Sequence, residues 1–347
     1  MYGEFTNRFE EMREVSLKNP ERIKEFVEEY LSQGFRAHLF TINGLTWPIH
    51  RDLCFLAVPD PHEVKWNSGN PVISTARSKR RYSMLAYLYS VRPGDLVFFF
   101  QADPQRRGHT VVDRRGFRGI YLIASEPFKD TTNIPYAGYE ILGRCPNCGF
   151  PFDFGEGNLV VKGNARPKLC PKCGKPYGVV NINGGSYSKV VLPLRILTRP
   201  LIVFEKTAGD TRVYGDTEIY PLLWISRSDN AMGPGKGSSI RTLLPEEAGK
   251  IAYMLASEPG QRILNLKCRR YPGNTSNPIT DHNGVDVRYP LLENNNSSTH
   301  PPQKLRHELH LNLYLARVID DSNHPLVQIL GIHPSNLIYW TTEFPWG

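Results

Sequence analysis

The sequence predicts an α+β fold: a small mixed β-barrel with flanking helices, an inserted four-cysteine zinc ribbon and a short α/β segment at the C-terminal end. Three observations lead there. Short β-branched or aromatic runs bounded by Pro, Gly and Asp recur from "FRAHLFTI" through "DLCFLAV", "DLVFFFQ", "RGIYLIAS", "SKVVLPLRI" and "YPLLWISR", which is the pattern of strands. Few helical stretches interrupt them, and that suits a sheet closed on itself better than a doubly wound one. Two Cys-x2-Cys pairs fall in the middle of the strand run.

Taken in order, residues 1–35 read as a helical segment that ends in a docking helix. Asn19 is its expected cap, Pro20 its first residue, Ile23, Phe26, Val27, Tyr30 and Leu31 its apolar stripe, and Gly34 its stop. The barrel is expected over 36–260. Its one interrupting helix is "YSMLAYLYSV", ended by Pro93-Gly94, which turn the chain straight into "DLVFFF". A second helix, "LPEEAGKIAYMLA", has Pro245, Glu246 and Glu247 in its first turn, where the helix dipole favours acids. Residues 261–303 are turn-rich and polar and read as a linker with a short strand at "VDVRYPLL". From 304 to 347, Leu305, Leu309, Leu313 and Ala316 mark a helix that opens a new unit.

Length and composition narrow the class of protein. The 347 residues suit two or three units, and 40% hydrophobic content is ample for a core in each. No apolar run approaches the roughly 20 residues that a spanning helix needs, and the N-terminal stretch has acids where a signal peptide has its apolar core. A membrane partner is therefore not expected, and the chain reads as cytoplasmic. The excess of 42 Lys plus Arg over 34 Asp plus Glu, a net +8, favours a polyanionic partner. Arg77, Lys79, Arg80 and Arg81 cluster on one side of the strand "DLVFFF", and Arg106, Arg107, Arg114, Arg115 and Arg118 on the other. Either run alone is as well read as solvated loop, whereas two runs flanking one strand point to phosphate contact.

The most specific motif is "RCPNCGF" with "LCPKCGK", which places Cys145, Cys148, Cys170 and Cys173 as two knuckles separated by 21 residues. Two residues between thiolates let both sulfurs of a knuckle face one ion, and Gly149 and Gly174 permit the turn that aims backbone amides at the sulfurs. A four-thiolate Zn2+ site over 143–178 is expected. It is structural, because four thiolates leave no place for water. A redox dithiol pair and an iron–sulfur cluster are its rivals, and the Pro and Gly framing resembles zinc ribbons more than either. Cys54 and Cys268 read as buried bystanders, and the pairing of the other four supports an intracellular chain.

Other motifs are discounted. "NAMGPGKGSS" is not a P-loop, since Gly237 follows Lys236 where Ser or Thr is required and Asn230 stands where the first Gly should be. It remains a loop able to close over a ligand. His307 and His310 form no HExxH pair, and there is no GxSxG elbow.

"YSMLAYLYSVRPGDLVFFFQ", "FRGIYLIASEPFKD" and "MGPGKGSSIRTLLPEEAGKIAYML" resemble the EVE branch of PUA-like domains, related to YTH and ASCH domains. The resemblance is carried by Gly94-Asp95 before an aromatic strand, Gly119-Ile120 in a strand ending Ser125-Glu126-Pro127, and the late loop before "LPEE". Such domains hold a modified or flipped base in an aromatic pocket. The resemblance implies a pocket tryptophan in "VKWNSGN", hence Trp66 with Asn67 as base-edge partner. Trp47 and Trp224 are further stacking candidates beside expected strand ends, and Lys236 is a candidate contact from the late loop. For each tryptophan, ordinary packing is the competing reading. Residues 304–347 are similar to the opening of restriction-endonuclease-like nucleases, in which a helix Glu, here Glu308, stands near a metal site. The Asp and Glu-x-Lys, whose two carboxylates would bind Mg2+ while the Lys steadies the attacking oxygen, are not reached before Gly347, so the sequence is expected to stop where a catalytic core would begin. Docking of this helix and strand on the barrel is the competing reading. The expected function is recognition of a flipped or modified base, in DNA first, directing a nuclease. The alternatives are an RNA-binding factor without nuclease activity and an interaction scaffold that binds no base.

Overall fold

The computed structural model describes residues 2–42, 46–58, 65–67, 70–72, 88, 90–101, 105–107, 110–113, 115–136, 139–142, 144–150, 159–160, 168–170, 172–177, 181–182, 185–186, 188–209, 240–276, 323, 325–329 and 331. The N-terminal stretch forms two helices, α1 (Tyr2–Lys18) and α2 (Pro20–Ser32). The expected stripe of α2, Ile23, Phe26, Val27, Tyr30 and Leu31, is its buried face. Asn19 makes no side-chain cap; its N–H instead donates to Val15 O at 2.9 Å, so the two helices meet almost without a break. Helices α3 (Trp47–Leu53), α4 (Pro245–Ala256) and α5 (Pro325–Ile329) follow. None of the described helices is long and apolar enough to cross a membrane.

In chain order the first strands are β1 (Ala37–Ile42), β2 (Phe55–Val58), the pair β3 (Lys65–Asn67) and β4 (Asn70–Val72), and β5 (Leu96–Gln101). The pair β6 (Gln105–Arg107) and β7 (Thr110–Asp113), then β8 (Gly116–Ile123) and β9 (Phe128–Lys129), come next. An excursion contains β10 (Ile134–Tyr136), β11 (Tyr139–Leu142), β12 (Leu159–Val160), β13 (Lys168–Leu169), β14 (Pro176–Tyr177), β15 (Asn181–Ile182), β16 (Gly185–Ser186) and β17 (Ser188–Val191). The chain then returns with β18 (Leu194–Gly209), β19 (Ile240–Leu243) and β20 (Ile263–Leu264). "YPLLWISR", "VDVRYPLL" and the helix of "HELHLNLYLA" lie outside the described residues.

The main sheet runs β19-β1-β5-β8-β18-β2, with β9 and β20 also on β18. β1 and β5 are parallel, and the other pairings of this sheet are antiparallel. β18 pairs β8 from Thr198 to Gly209 and β2 from Leu194 to Leu197, with register shifts at Pro200/Ile202 and Val203/Ala208. Such bulges bend a strand and sharpen its twist, so the sheet curls. It does not close: β19 and β2 end the path and do not pair with each other among the described residues. The expected closed barrel is therefore a half-barrel, in an α+β fold.

Strand alternation builds two cores. Leu96, Phe98 and Phe100 of β5 face the layer of α1, α2 and α4, with Phe9, Phe26, Tyr30, Ile251 and Leu255. Val97 and Phe99 face the other way, onto Phe40, Trp47, Tyr121 and Ile196. The turn before β5 is held by one buried carboxylate. Asp95 accepts from Arg36 N at 3.0 Å and Arg92 N at 2.9 Å and pairs with His38 Nε2 at 2.9 Å, while the Tyr30 hydroxyl donates to Gly94 O.

Residues 261–276, which read as the start of a linker, run against the sheet. β20 pairs with β18, Arg269 N donates to Asp52 O at 2.8 Å, and Tyr271 joins a buried ion pair. In that pair Arg195, fully buried, donates to Asp130 Oδ2 at 2.8 Å, to Leu192 O at 2.9 Å and to Thr132 O at 2.8 Å. Cys54 and Cys268 are not bystanders. They form a disulfide across a sequence separation of 214, which the sequence hid because the fold alone brings them together. Disulfides persist in oxidising surroundings, so cysteine usage lends no support to a cytoplasmic location.

Two outcomes follow from the buried charges. Asp130→Ala leaves the Arg195 guanidinium buried without its carboxylate, and denaturant unfolding should show a loss of about 3–5 kcal/mol. Glu247 lies fully buried at the start of α4, its Oε2 accepting from Leu244 N at 2.7 Å and its Oε1 without a hydrogen-bond partner among the described residues; burial pushes its pKa up to about 8. The folded chain thus keeps a proton that the unfolded chain releases near 4.5, and stability should fall as pH rises from there through about 8. Unfolding curves at pH 5 and pH 8 should differ less in Glu247→Gln than in the wild type.

Candidate metal centre and candidate nucleic-acid interface

The four expected ligands come together. The sulfurs of Cys145, Cys148, Cys170 and Cys173 all lie within 4.8 Å of one another, Cys145 to Cys173 at 3.9 Å and Cys148 to Cys170 at 3.7 Å. A tetrahedral ion with metal–sulfur bonds of about 2.3 Å needs sulfurs about 3.8 Å apart, so the donor set fits a metal ion such as zinc. Each knuckle is built by the same local bonds. Gly149 N donates to Cys145 O and Gly174 N to Cys170 O, both at 2.9 Å, while Cys145 N donates to Phe150 O and Cys170 N to Lys175 O. Gly149 (φ +70°) and Gly174 (φ +65°) supply the left-handed residue that closes each turn. Burial opposes ionisation of Cys170, yet the N–H groups of Cys173 and Lys172 and the neighbouring thiols outweigh it and bring its pKa down to about 7. These are the amides that the knuckle glycines were expected to aim at sulfur.

Arg106 and Arg107 lie on a hairpin. β6 and β7 pair Arg106 with Val111 and Arg107 with Thr110, and the hairpin hangs between the end of β5 and the start of β8. At its root, the β5–β8 ladder slips: Phe98 faces Ile120 but Phe100 faces Phe117, so Arg118 and Gly119 together oppose Phe99. The extra residue re-aims Arg118 into the half-barrel. Its guanidinium there donates to Gln101 Oε1 and lies 5.5 Å from the Trp47 ring centroid. Burial draws the pKa of Arg118 down to about 10. Trp47 packs against Phe99 and Tyr121, with centroids at 5.3 Å and 6.3 Å. The Tyr121 hydroxyl is buried with no hydrogen-bond partner among the described residues, and burial raises its pKa.

Two expectations change. Trp47 is only 4% exposed and its faces are taken by Phe99, Tyr121 and Arg118, so it is an inner-wall residue and not an open stacking platform. Arg118, counted among the surface arginines, is only 4% exposed. Arg118, Gln101 and Tyr121 form a polar and aromatic cluster that sequence reasoning missed; a glycine flanking an arginine inside a strand, "GFRGI", was the available sign of a bulge. Trp66 and Asn67 lie on β3, opposite Pro71 and Asn70, and Arg106 and Arg107 on β6; nothing is described of their side chains. Arg77, Lys79, Arg80, Arg81, Trp224, Lys236 and Glu308 lie outside the described residues.

No family model matches the sequence, and no curated protein matches it. Among solved structures, one of human THYN1 protein in complex with 5-methylcytosine containing DNA aligns with 65% of this chain and 99% of its own. The identity is 10% and the TM-score 0.30.

Four thiolates would fill a tetrahedral sphere, so an ion held there would have no open position and would contribute to folding. Serine at both Cys145 and Cys148 should remove one equivalent of bound metal and lower the melting temperature. Metal analysis of the purified chain checks this, and a wild type that is fully stable and metal-free would overturn the site.

Proposed function

We propose that this chain binds nucleic acid, DNA in the first place, and reads a flipped or modified base with a PUA-like half-barrel that carries a structural zinc ribbon. The supporting observation is the shared root of hairpin and cluster. The hairpin bearing Arg106 and Arg107 springs from the two strand ends that hold Gln101 and Arg118, so two arginines of the hairpin and a polar, aromatic wall belong to one end of the curled sheet. The hairpin and the Arg77–Arg81 run supply backbone capture, which gives affinity and salt sensitivity without sequence preference. Base recognition falls to Trp66 and Asn67 by the EVE resemblance. Extrusion of a base costs least when it is mispaired or single-stranded. For the ribbon, convergence of all four sulfurs on one point favours zinc over two separate redox dithiols. The nuclease expected of 304–347 rests on resemblance alone and adds no residue to this reading.

The test is equilibrium binding of the whole chain to matched DNA and RNA oligonucleotides, each with and without one methylated base, across a salt series. A preference for the methylated DNA that survives high salt is the expected result. Trp66→Ala should abolish that preference while retaining most of the overall affinity. Equal binding to every oligonucleotide that collapses with salt would overturn base reading, and a preference for methylated RNA would replace DNA as the partner.

A further inference from the structure

A second basic surface lies outside both arginine runs. "RILNLKCRRY", Arg262 to Tyr271, holds four cations and no acid, and Arg262, Lys267, Arg269 and Arg270 are all exposed. Arg262 stands 3.9 Å from Glu205, whereas Lys267, Arg269 and Arg270 form no ion pair among the described residues. Arg199, exposed on β18, forms none either. Arg13, Arg199 and Lys267 line one groove of about 380 Å³ next to Cys268. The acid in its wall, Glu10, is already paired with Arg13 at 2.9 Å.

This strap read as the start of a linker, yet it is tied down along its length. β20 pairs with β18, Cys268 is bonded to Cys54, Arg269 N donates to Asp52 O, and the Tyr271 hydroxyl donates to Asp130. Holding like charges at fixed positions on one surface costs folding free energy through self-repulsion. A polyanion relieves that repulsion, and cations already ordered lose less entropy on meeting it.

We propose that this strap, together with Arg199, is a second backbone-contact face that binds the phosphodiester backbone of duplex DNA; it rests on the nucleic-acid reading above. Each cation there displaces a condensed counterion, so each adds about 0.9 to the slope of log affinity against log salt. The face confers affinity and register and no base preference.

The probe is an unmodified DNA duplex, titrated with the whole chain at a series of salt concentrations. A variant with Arg199→Gln, Lys267→Gln, Arg269→Gln and Arg270→Gln should lose roughly three to four units of slope, one duplex sequence being weakened as much as another. A second variant, Arg199→Lys with Arg269→Lys and Arg270→Lys, should keep the wild-type slope, because counterion release depends on charge. Arg106→Gln with Arg107→Gln serves as the control for the hairpin. If the glutamine strap variant keeps the wild-type slope while the hairpin variant loses slope, the strap inference falls and the function proposed above stands. Equal loss in the lysine and glutamine strap variants would mark a structural role and also overturn it. A wild type that binds neither DNA nor RNA would remove both.

Discussion

The fold depends on the backbone ladder of one long strand. β18 pairs with β8, β2, β9 and β20, so four other strands owe their position to its hydrogen bonds. Near its first residues Arg195 adds a polar tie, a fully buried guanidinium shared between Asp130, two backbone carbonyls and Tyr271. Charges taken out of water are tolerable only when their hydrogen-bonding capacity is met. That requirement fixes the end of β9, the start of β18 and the returning strap at one point.

A second constraint is the division of the sheet into two apolar faces. Helices α1, α2 and α4 cover one face; α3 and the curl of the sheet itself cover the other. Because alternation sends every second residue to the opposite side, the five buried residues of "LVFFF" serve both cores at once. The bulge opposite Phe99 breaks this alternation in one place, and there a charged side chain enters the half-barrel. A local irregularity of backbone thus places a charged side chain beside Gln101 and Tyr121 on the inner wall, at the root of the hairpin.

Part of the excursion between β9 and β18 takes its order from ligand geometry. Two knuckles with matching hydrogen bonds bring four sulfurs to one point, so a metal ion can take the role that a hydrophobic core plays elsewhere. The strap shows the same economy. A segment that read as linker is ordered by pairing with β18, a disulfide, a backbone bond to Asp52 and a tyrosine, which leaves its cations exposed.

The stripe of α2, the Gly94-Asp95 turn, the "LPEE" helix and the four cysteines were legible in the sequence, because each is governed by contacts within a few residues or by fixed ligand spacing. Asp95 was visible as a turn residue, and its hold on His38, Arg36 and Arg92 was not. The Cys54–Cys268 bond, the Arg195–Asp130 pair and the docking of 261–276 join residues far apart in the chain, and no local pattern announces them. Trp47 shows the same division: its place after a strand suggested an exposed ring, and the packing of Phe99, Tyr121 and Arg118 around it made it wall. Sequence by itself determined the strand-rich class, the four thiols that converge and the net positive charge, since periodicity, spacing and net charge are local or additive. Tertiary structure alone decided which charges are buried, which cysteines bond and where the barrel stays open, because those depend on which distant surfaces exclude water from one another.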